Sequence, residues 1–318
     1  MSTALKNQIE TVELSIVTTM YRSTAFIAEF HRRASDAAAS VASSYEIIFV
    51  NDGSPDDSLD RARALVEVDA HVRVIDLSRN FGHHRAIMIG LEHAHGSRVF
   101  LIDCDLEEDP LALPAFFAEM KRTQADVVYG VQPSRSGGLV RRLGGALFWF
   151  LFNLISEVRV TPNVLTSRLM TRRYINALLG FRERQLFLDG IFGLAGFSQI
   201  PMTVEKRARI DSSYTIRKRF YLLVNSITSF SSKPLVFVFY LGLSISITAG
   251  ISMAVLIFNV LFFGGYLSGW PSLIVSIWLL GGLSIFCMGV IGIYVAKIFN
   301  ESKQRPYAII RQIYERND

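Results

Sequence analysis

Residues 98–105 read Arg98-Val99-Phe100-Leu101-Ile102-Asp103-Cys104-Asp105, a β-branched and aromatic run that ends on two carboxylates. Arg98–Ile102 suits a buried strand, and the alternation of side chains along it would carry Asp103 and Asp105 to the same side. Outward from this stretch, Leu14–Thr18, Tyr45–Val50, Val72–Leu77 and Val127–Gly130 are further strand candidates. Between them, Thr24–Ala42, Ser58–Val68 and His84–His95 read as amphipathic helices. Strand and helix alternating in this way over residues 1–210 predict an α/β domain with a mostly parallel, Rossmann-like sheet. In open sheets of that class ligands collect beyond the carboxyl ends of the strands, which is where Asp52, Asp103 and Asp105 fall.

The rest of the chain has another composition. Of 318 residues, half are hydrophobic and 19% are charged. Those values exclude a disordered or collagen-like chain and are too apolar for an ordinary soluble enzyme of this size. The excess is concentrated at residues 234–296, which contain no Asp, Glu, Lys, Arg or His. One helix of that length would measure about 95 Å against a hydrocarbon core of ~30 Å. Two transmembrane helices are therefore expected, Pro234–Phe263 and Pro271–Ala296, joined by a Gly- and aromatic-rich turn at residues 264–270. Residues 211–233 form a juxtamembrane amphipathic segment and residues 297–318 a tail. Arg217, Lys218, Arg219 and Lys233 precede the first span, and Lys297, Lys303, Arg305 and Arg311 follow the second. This bias predicts an integral membrane protein with both termini and the catalytic domain in the cytoplasm. Met1–Glu13 has no apolar core of the kind a cleaved signal carries.

The net charge of +5 would also suit nucleic acid. With spans present, the basic residues are better assigned to anionic lipid head groups, and no nucleic-acid partner is expected. Leu139–Ile155 and Tyr214–Phe230 combine basic with large apolar residues, and either could lie in the interface or pack on the domain. Cys104 and Cys287 support neither a disulfide nor a thiolate metal site. Gly281-Gly282 and Gly289-x-x-Gly292 permit close helix contacts, within the hairpin or in a homo-oligomer.

Asp103-x-Asp105 offers hard oxygen ligands for Mg²⁺ or Mn²⁺, whose shells are usually completed by water and substrate phosphates. By itself the pair is equally readable as a turn. Asn51-Asp52-Gly53-Ser54 could be an Asx turn, with Asp57 helping to cap the next helix, and Arg79-Asn80-Phe81-Gly82-His83-His84 a basic surface loop. No G-x-G-x-x-G follows the first strand and no G-x-x-x-x-G-K-[ST] occurs, which argues against dinucleotide oxidoreductases and P-loop nucleotidases. Three such segments in this order, each beyond a strand end, form the pattern of a nucleotide-sugar site.

The chain resembles the polyprenyl-phosphate glycosyltransferases of glycosyltransferase family 2, from Leu14 to about Ile313. The matching stretches are Phe49–Ser54, Arg79–His83, Asp103–Leu106, Ser212-Ser213-Tyr214 and Gly289-x-x-Gly292-x-Tyr294. The resemblance implies a GT-A fold and inverting transfer of a sugar from a nucleotide-diphosphate donor, with uridine as the expected base, to a polyprenyl phosphate such as undecaprenyl phosphate. It further implies a bacterial inner-membrane setting and a role in cell-surface glycan or lipid modification. Carried over by position, Tyr21, Asp52, Arg79 and Asp103 bind the donor. Asp103, Asp105 and Glu107 hold the metal. Arg135, Arg207 and Ser212 meet the acceptor phosphate, and Asp103, Asp105 and Arg135 form the catalytic set. A phosphomonoester is already largely ionised at neutral pH, so no general base is nominated, and Asp189 is the best remaining carboxylate.

The sequence departs from the family at three places. Thr19-Met20-Tyr21-Arg22-Ser23 replaces P-x-Y-N-E, with only Tyr21 kept. Ser213 replaces the Lys of S-K-Y, with Lys206 or Arg209 as substitute cations, and Asn163-Val164-Leu165-Thr166 lacks the acidic residue and glycine of several relatives. Competing readings are transfer to a sugar hydroxyl of a glycolipid, which needs a positioned base, and a silent nucleotide- or lipid-binding scaffold.

Overall fold

The computed structural model describes residues 12–132, 164–181, 183, 188–205, 233–263 and 269–316. The α/β part begins with β1 (Leu14–Met20), α1 (Ile27–Ala39), β2 (Tyr45–Asn51), α2 (Ser58–Val68), β3 (Val72–Leu77), α3 (His83–Glu92) and β4 (Arg98–Leu101). A 3₁₀ turn at Pro110–Ala112 leads into α4 (Leu113–Thr123) and β5 (Val127–Val131). Then come β6 (Val164–Thr171), α5 (Arg172–Leu178), α6 (Leu188–Leu194) and β7 (Gln199–Thr203). Two long helices follow, α7 (Lys233–Phe263) and α8 (Trp270–Ser302), and the last element is a strand, β8 (Ile310–Tyr314).

The strands form one sheet in the order β7-β5-β6-β4-β1-β2-β3-β8. Its centre, β4-β1-β2-β3, is parallel, as is β5 with β7, while β6 runs antiparallel to β4 and β5, and β8 antiparallel to β3. This is a mostly parallel GT-A-like α/β fold. Helices cover the parallel centre, so its strands are buried on both faces: every residue of β1 except Thr19 is buried, and every residue of β2 except Tyr45. On one face Phe30 meets Phe49 edge to face at 5.7 Å, and Phe100 meets Phe116 at 5.2 Å, all four rings fully buried. On the other, α3 approaches so closely that a Cβ on Gly90 would lie 2.5 Å from Val17 Cγ1.

Register decides where the functional loops begin. Met20 pairs with Asn51 and Asn51 with Asp76, so β1, β2 and β3 end side by side. Tyr21, Asp52 and the loop after Leu77 are thereby launched from one edge. The opposite edge is fastened by Glu46, whose buried carboxylate accepts from Ser15 Oγ (2.6 Å), the His95 amide (2.6 Å) and Arg73 Nη1 (2.9 Å). Three partners around one carboxylate make that burial tolerable.

The structure divides the chain differently from the expected 1–210, 211–233, 234–296 and 297–318 in two respects. The last long helix runs on to Ser302, past Ala296, and the residues beyond Arg305 belong to the α/β unit, where β8 extends the sheet. Every residue of β8 is exposed or only partly buried, as suits a strand at the sheet edge.

The second unit contains α7 and α8, helices of 31 and 33 residues, each long enough at ~1.5 Å per residue to exceed a hydrocarbon core. Among the described residues one stretch, Leu280–Ser302, meets the length and composition of a membrane span, and none of its apolar window is buried. The amphipathic stretches expected at residues 139–155 and 214–230 lie outside the described residues, as do the turn at 264–268 and Arg135, Arg207 and Ser212.

Phe100→Ala removes a ring fully enclosed between sheet and helix. It is expected to cost about 3–5 kcal/mol of stability, read as a large drop in Tm of the detergent-solubilised protein.

Candidate active site

The site is assembled from loops that leave the aligned ends of β1, β2, β3 and β4. Beyond β2, Asn51 Oδ1 accepts the Ser54 amide at 3.1 Å, which is the Asx turn the sequence suggests. The turn brings Gly53 to φ +60°, and a Cβ there would stand 2.4 Å from the Asn80 nitrogen. Glycine is thus required twice, by its dihedral and by the backbone against it. Asp56, not Asp57, serves the start of α2: its carboxylate accepts from the hydroxyls of Ser54, Ser58 and Thr24, the latter two at 2.6 Å, and Asp57 makes no side-chain cap. Burial works against the charge on Asp56, but those hydroxyls hold its carboxyl well below the usual range.

Asp52 is 3% exposed and reaches across to the neighbouring loop. Its Oδ1 accepts the Phe81 amide at 2.7 Å and its Oδ2 the Gly82 amide at 3.0 Å. Burial pushes its carboxyl up, while those two amides, with His83 and Arg79 nearby, pull the other way. Asp52 therefore clasps the Arg79–Gly82 loop, a role the sequence did not disclose. Arg79 is exposed at the rim, its guanidinium 4.2 Å over the Phe81 ring and its Nη1 donating to the Asn80 carbonyl. Gly82, at φ +100°, precedes α3, which consequently starts at His83 and not at His84.

Strand β4 ends at Leu101, one residue before the expected Ile102, although the Ile102 amide still donates to the Val17 carbonyl. Cys104 turns into the core, 2% exposed, between the half-buried Asp103 and Asp105. Burial, reinforced by Asp105 and Asp103, pushes its thiol far above the ordinary range. Around Asp103 lies a contact line that joins four segments. Thr19 Oγ1 is 3.0 Å from His83 Nδ1, His83 Nε2 is 3.5 Å from Asp103 Oδ1, and Thr166 Oγ1 donates to Asp103 Oδ2 at 2.8 Å. Two positions where the sequence leaves the family pattern, Thr19 and Thr166, are thus part of the site. Beside them Glu108, 1% exposed, accepts the amides of Thr166 (3.3 Å) and Ser167 (2.9 Å) and fixes the start of β6 to the D-x-D loop. His83, Thr166 and Glu108 were not singled out from the sequence. The available signal was their position: His83 inside a quoted motif, Glu108 three residues after Asp105, and Thr166 in a segment noted only for what it lacks.

Tyr21, 46% exposed, stands at the rim directly beyond β1, its amide donating to Ser23 Oγ. Asp105 Oδ1 accepts the Glu107 amide at 3.1 Å, so Glu107 closes the turn through its backbone. Asp103 and Asp105 supply the oxygen donors a Mg²⁺ or Mn²⁺ ion takes together with phosphates and water. Among the described residues no three His, Cys, Asp or Glu side chains are gathered into a ready-made cage. Asp189 lies in α6, with its side chain outside the description.

A buried parallel core, loops converging at its strand ends and the paired carboxylates beyond β4 place the candidate site at the carboxyl edge of the sheet. The sequence profile of glycosyl transferase family 2 matches residues 15–181. A Mycobacterium tuberculosis protein, named only as a member of the glycosyltransferases, is 50% identical over 95% of this chain and 89% of its own. The prophage bactoprenol glucosyl transferase homolog of Escherichia coli K12 is 32% identical over 95% of this chain and 99% of its own. The bactoprenol glucosyl transferase of Shigella phage SfV is 36% identical over 84% and 87%. The chain belongs to glycosyl transferase family 2 and is a glycosyltransferase.

Two outcomes check this geometry. Gly53→Ala, forced against the Asn80 backbone, should weaken nucleotide binding by tenfold or more in calorimetry while leaving far-ultraviolet circular dichroism unchanged. Cys104 should resist iodoacetamide at pH 8 in the folded protein and react once denatured, as read by mass spectrometry.

Proposed function

We propose that the protein moves a sugar from a uridine-diphosphate donor to a polyprenyl phosphate embedded in the membrane to which the protein is anchored. The observation that carries this reading is the convergence on Asp103 of segments from β1, α3 and β6. That centre belongs to a chain whose near-full-length relatives include bactoprenol glucosyl transferases. In this reading Tyr21 and Arg79 frame the donor from the exposed rim, and the Asp52 clasp presents the Phe81–Gly82 loop to it. Asp103 and Asp105, with Glu107 alongside, would hold Mg²⁺ or Mn²⁺ for the donor. When bound, the ion neutralises the charge that builds on the departing diphosphate. Arg135, Arg207 and Ser212 are assigned to the acceptor phosphate.

The reaction is one displacement with inversion. The bond from the anomeric carbon to the diphosphate oxygen breaks, and a bond to an acceptor phosphate oxygen forms. That oxygen is already ionised at neutral pH, so the chain's task is alignment and charge stabilisation, and a strong base has no proton to remove.

Membrane anchoring by both long helices has topological support. The chain leaves the α/β unit after β7 and rejoins its sheet at β8, so a bilayer crossed in between is crossed an even number of times. Residues 234–296 contain no charged side chain and are flanked by Lys and Arg on both sides, which fits two crossings with the catalytic unit in the cytoplasm.

The test uses detergent-purified protein, undecaprenyl phosphate, Mg²⁺ or Mn²⁺ and a panel of nucleotide sugars, with lipids read by mass spectrometry. A new lipid-phosphate sugar is expected, abolished by EDTA and reduced at least a hundredfold in Asp103→Asn. Transfer only to a glycolipid hydroxyl, or nucleotide binding with no transfer to any acceptor, would overturn the assignment.

A further inference from the structure

We infer that Arg311, on the strand that follows the last long helix, is a positioning residue of the donor loops. The inference rests on the reading of those loops as a nucleotide-sugar site.

Strand β8 pairs antiparallel with β3, and the register slips between Asp76 and Leu77, where the donor-side end of β3 begins. The Ser78 amide donates to the Ile309 carbonyl at 2.8 Å, so pairing continues beyond the slip. At this point the Arg311 guanidinium forks: Nη1 donates to Asp76 Oδ2 at 3.2 Å and Nη2 to the Ser78 carbonyl at 2.7 Å. Asp76 is 1% exposed, and its other oxygen accepts Asn51 Nδ2 at 2.8 Å. Asn51 in turn fixes the turn that carries Asp52 and Gly53 through the Ser54 amide.

One guanidinium thus holds both partners of the clasp. Through Asp76 and Asn51 it sets the β2 loop that presents Asp52, and through the Ser78 carbonyl it sets the residue before Arg79. A carboxylate as deeply buried as Asp76 needs its partners, and without Arg311 it must take in water or move, shifting Asn51 with it. The far end of β8 is secured separately. Arg73 Nε donates to Glu315 Oε2 at 2.9 Å, and the Arg63 guanidinium lies 4.6 Å over the Tyr314 ring. Loss of Arg311 therefore leaves the strand anchored and acts on the loops.

The experiment uses the full chain in detergent with Arg311→Ala, Arg311→Lys and Glu315→Gln. Amide hydrogen exchange of the Phe81 and Gly82 region is followed without ligand, UDP affinity by calorimetry, and KM for donor and for lipid separately. Arg311→Ala should exchange at least tenfold faster in that region, bind UDP about tenfold more weakly and raise donor KM with lipid KM unchanged. Arg311→Lys, which keeps the charge opposite Asp76, should recover most of the loss, and Glu315→Gln should match the wild type. Unchanged exchange in Arg311→Ala, or equal loosening in Glu315→Gln, would overturn the inference. If Arg311→Ala does not fold, Arg311→Gln is read by the same criteria. A wild-type protein that takes no UDP defeats the donor-site reading, and the exchange arm then decides the role of Arg311 alone.

Discussion

The clasp between the Asp52 carboxylate and the amides of Phe81 and Gly82 is the interaction on which the site depends. It joins loops from two strands that the parallel sheet has already aligned, and it does so with a charge taken almost wholly out of water. Amide donors partly counter that desolvation, and their geometry dictates how far apart the loops stand. Gly53 follows from the same constraint, because loops this close leave no room for a Cβ. So does Gly82, whose left-handed backbone turns the second loop into α3 and delivers His83 toward Asp103.

Much of this was legible in the sequence where composition and period are strong. The central strands are short runs rich in β-branched and aromatic residues, as strands buried on both faces tend to be, and Val72–Leu77 and Ser58–Val68 are bounded correctly. The three functional segments fall beyond their strand ends because one-sided ligand binding is a property of such sheets. What was not legible depends on contacts distant in sequence. Strand β6 contains Ser167 and Arg168, both buried, so its run looks too polar for a core strand. Arg168 donates to the Leu165 and Thr166 carbonyls, with its guanidinium 3.5 Å over the Phe192 ring. The five residues of β8 follow a long apolar helix and are defined by a partner strand more than 200 positions earlier.

The site residues divide in the same way. Asp103 and Asp105 could be placed from local spacing, since Cys104 between them fills the core and turns both outward. The clasp made by Asp52 could not, because a carboxylate after a strand reads identically whether it meets a ligand or a neighbouring loop. Thr19 and Thr166 were visible only as departures from a pattern, and their significance lies in the side chain that each brings to the Asp103 centre.

The return of β8 to the sheet has a consequence for how the protein is made. Until residues 310–314 emerge, β3 is an open edge with unpaired backbone groups, the kind of surface that recruits foreign strands. The contact that closes it spans most of the chain, so the entropy of that loop must be met late, after both apolar helices have been synthesised. The catalytic unit therefore matures last at the edge that carries its donor loops, which ties completion of the sheet to delivery of the helices that precede it.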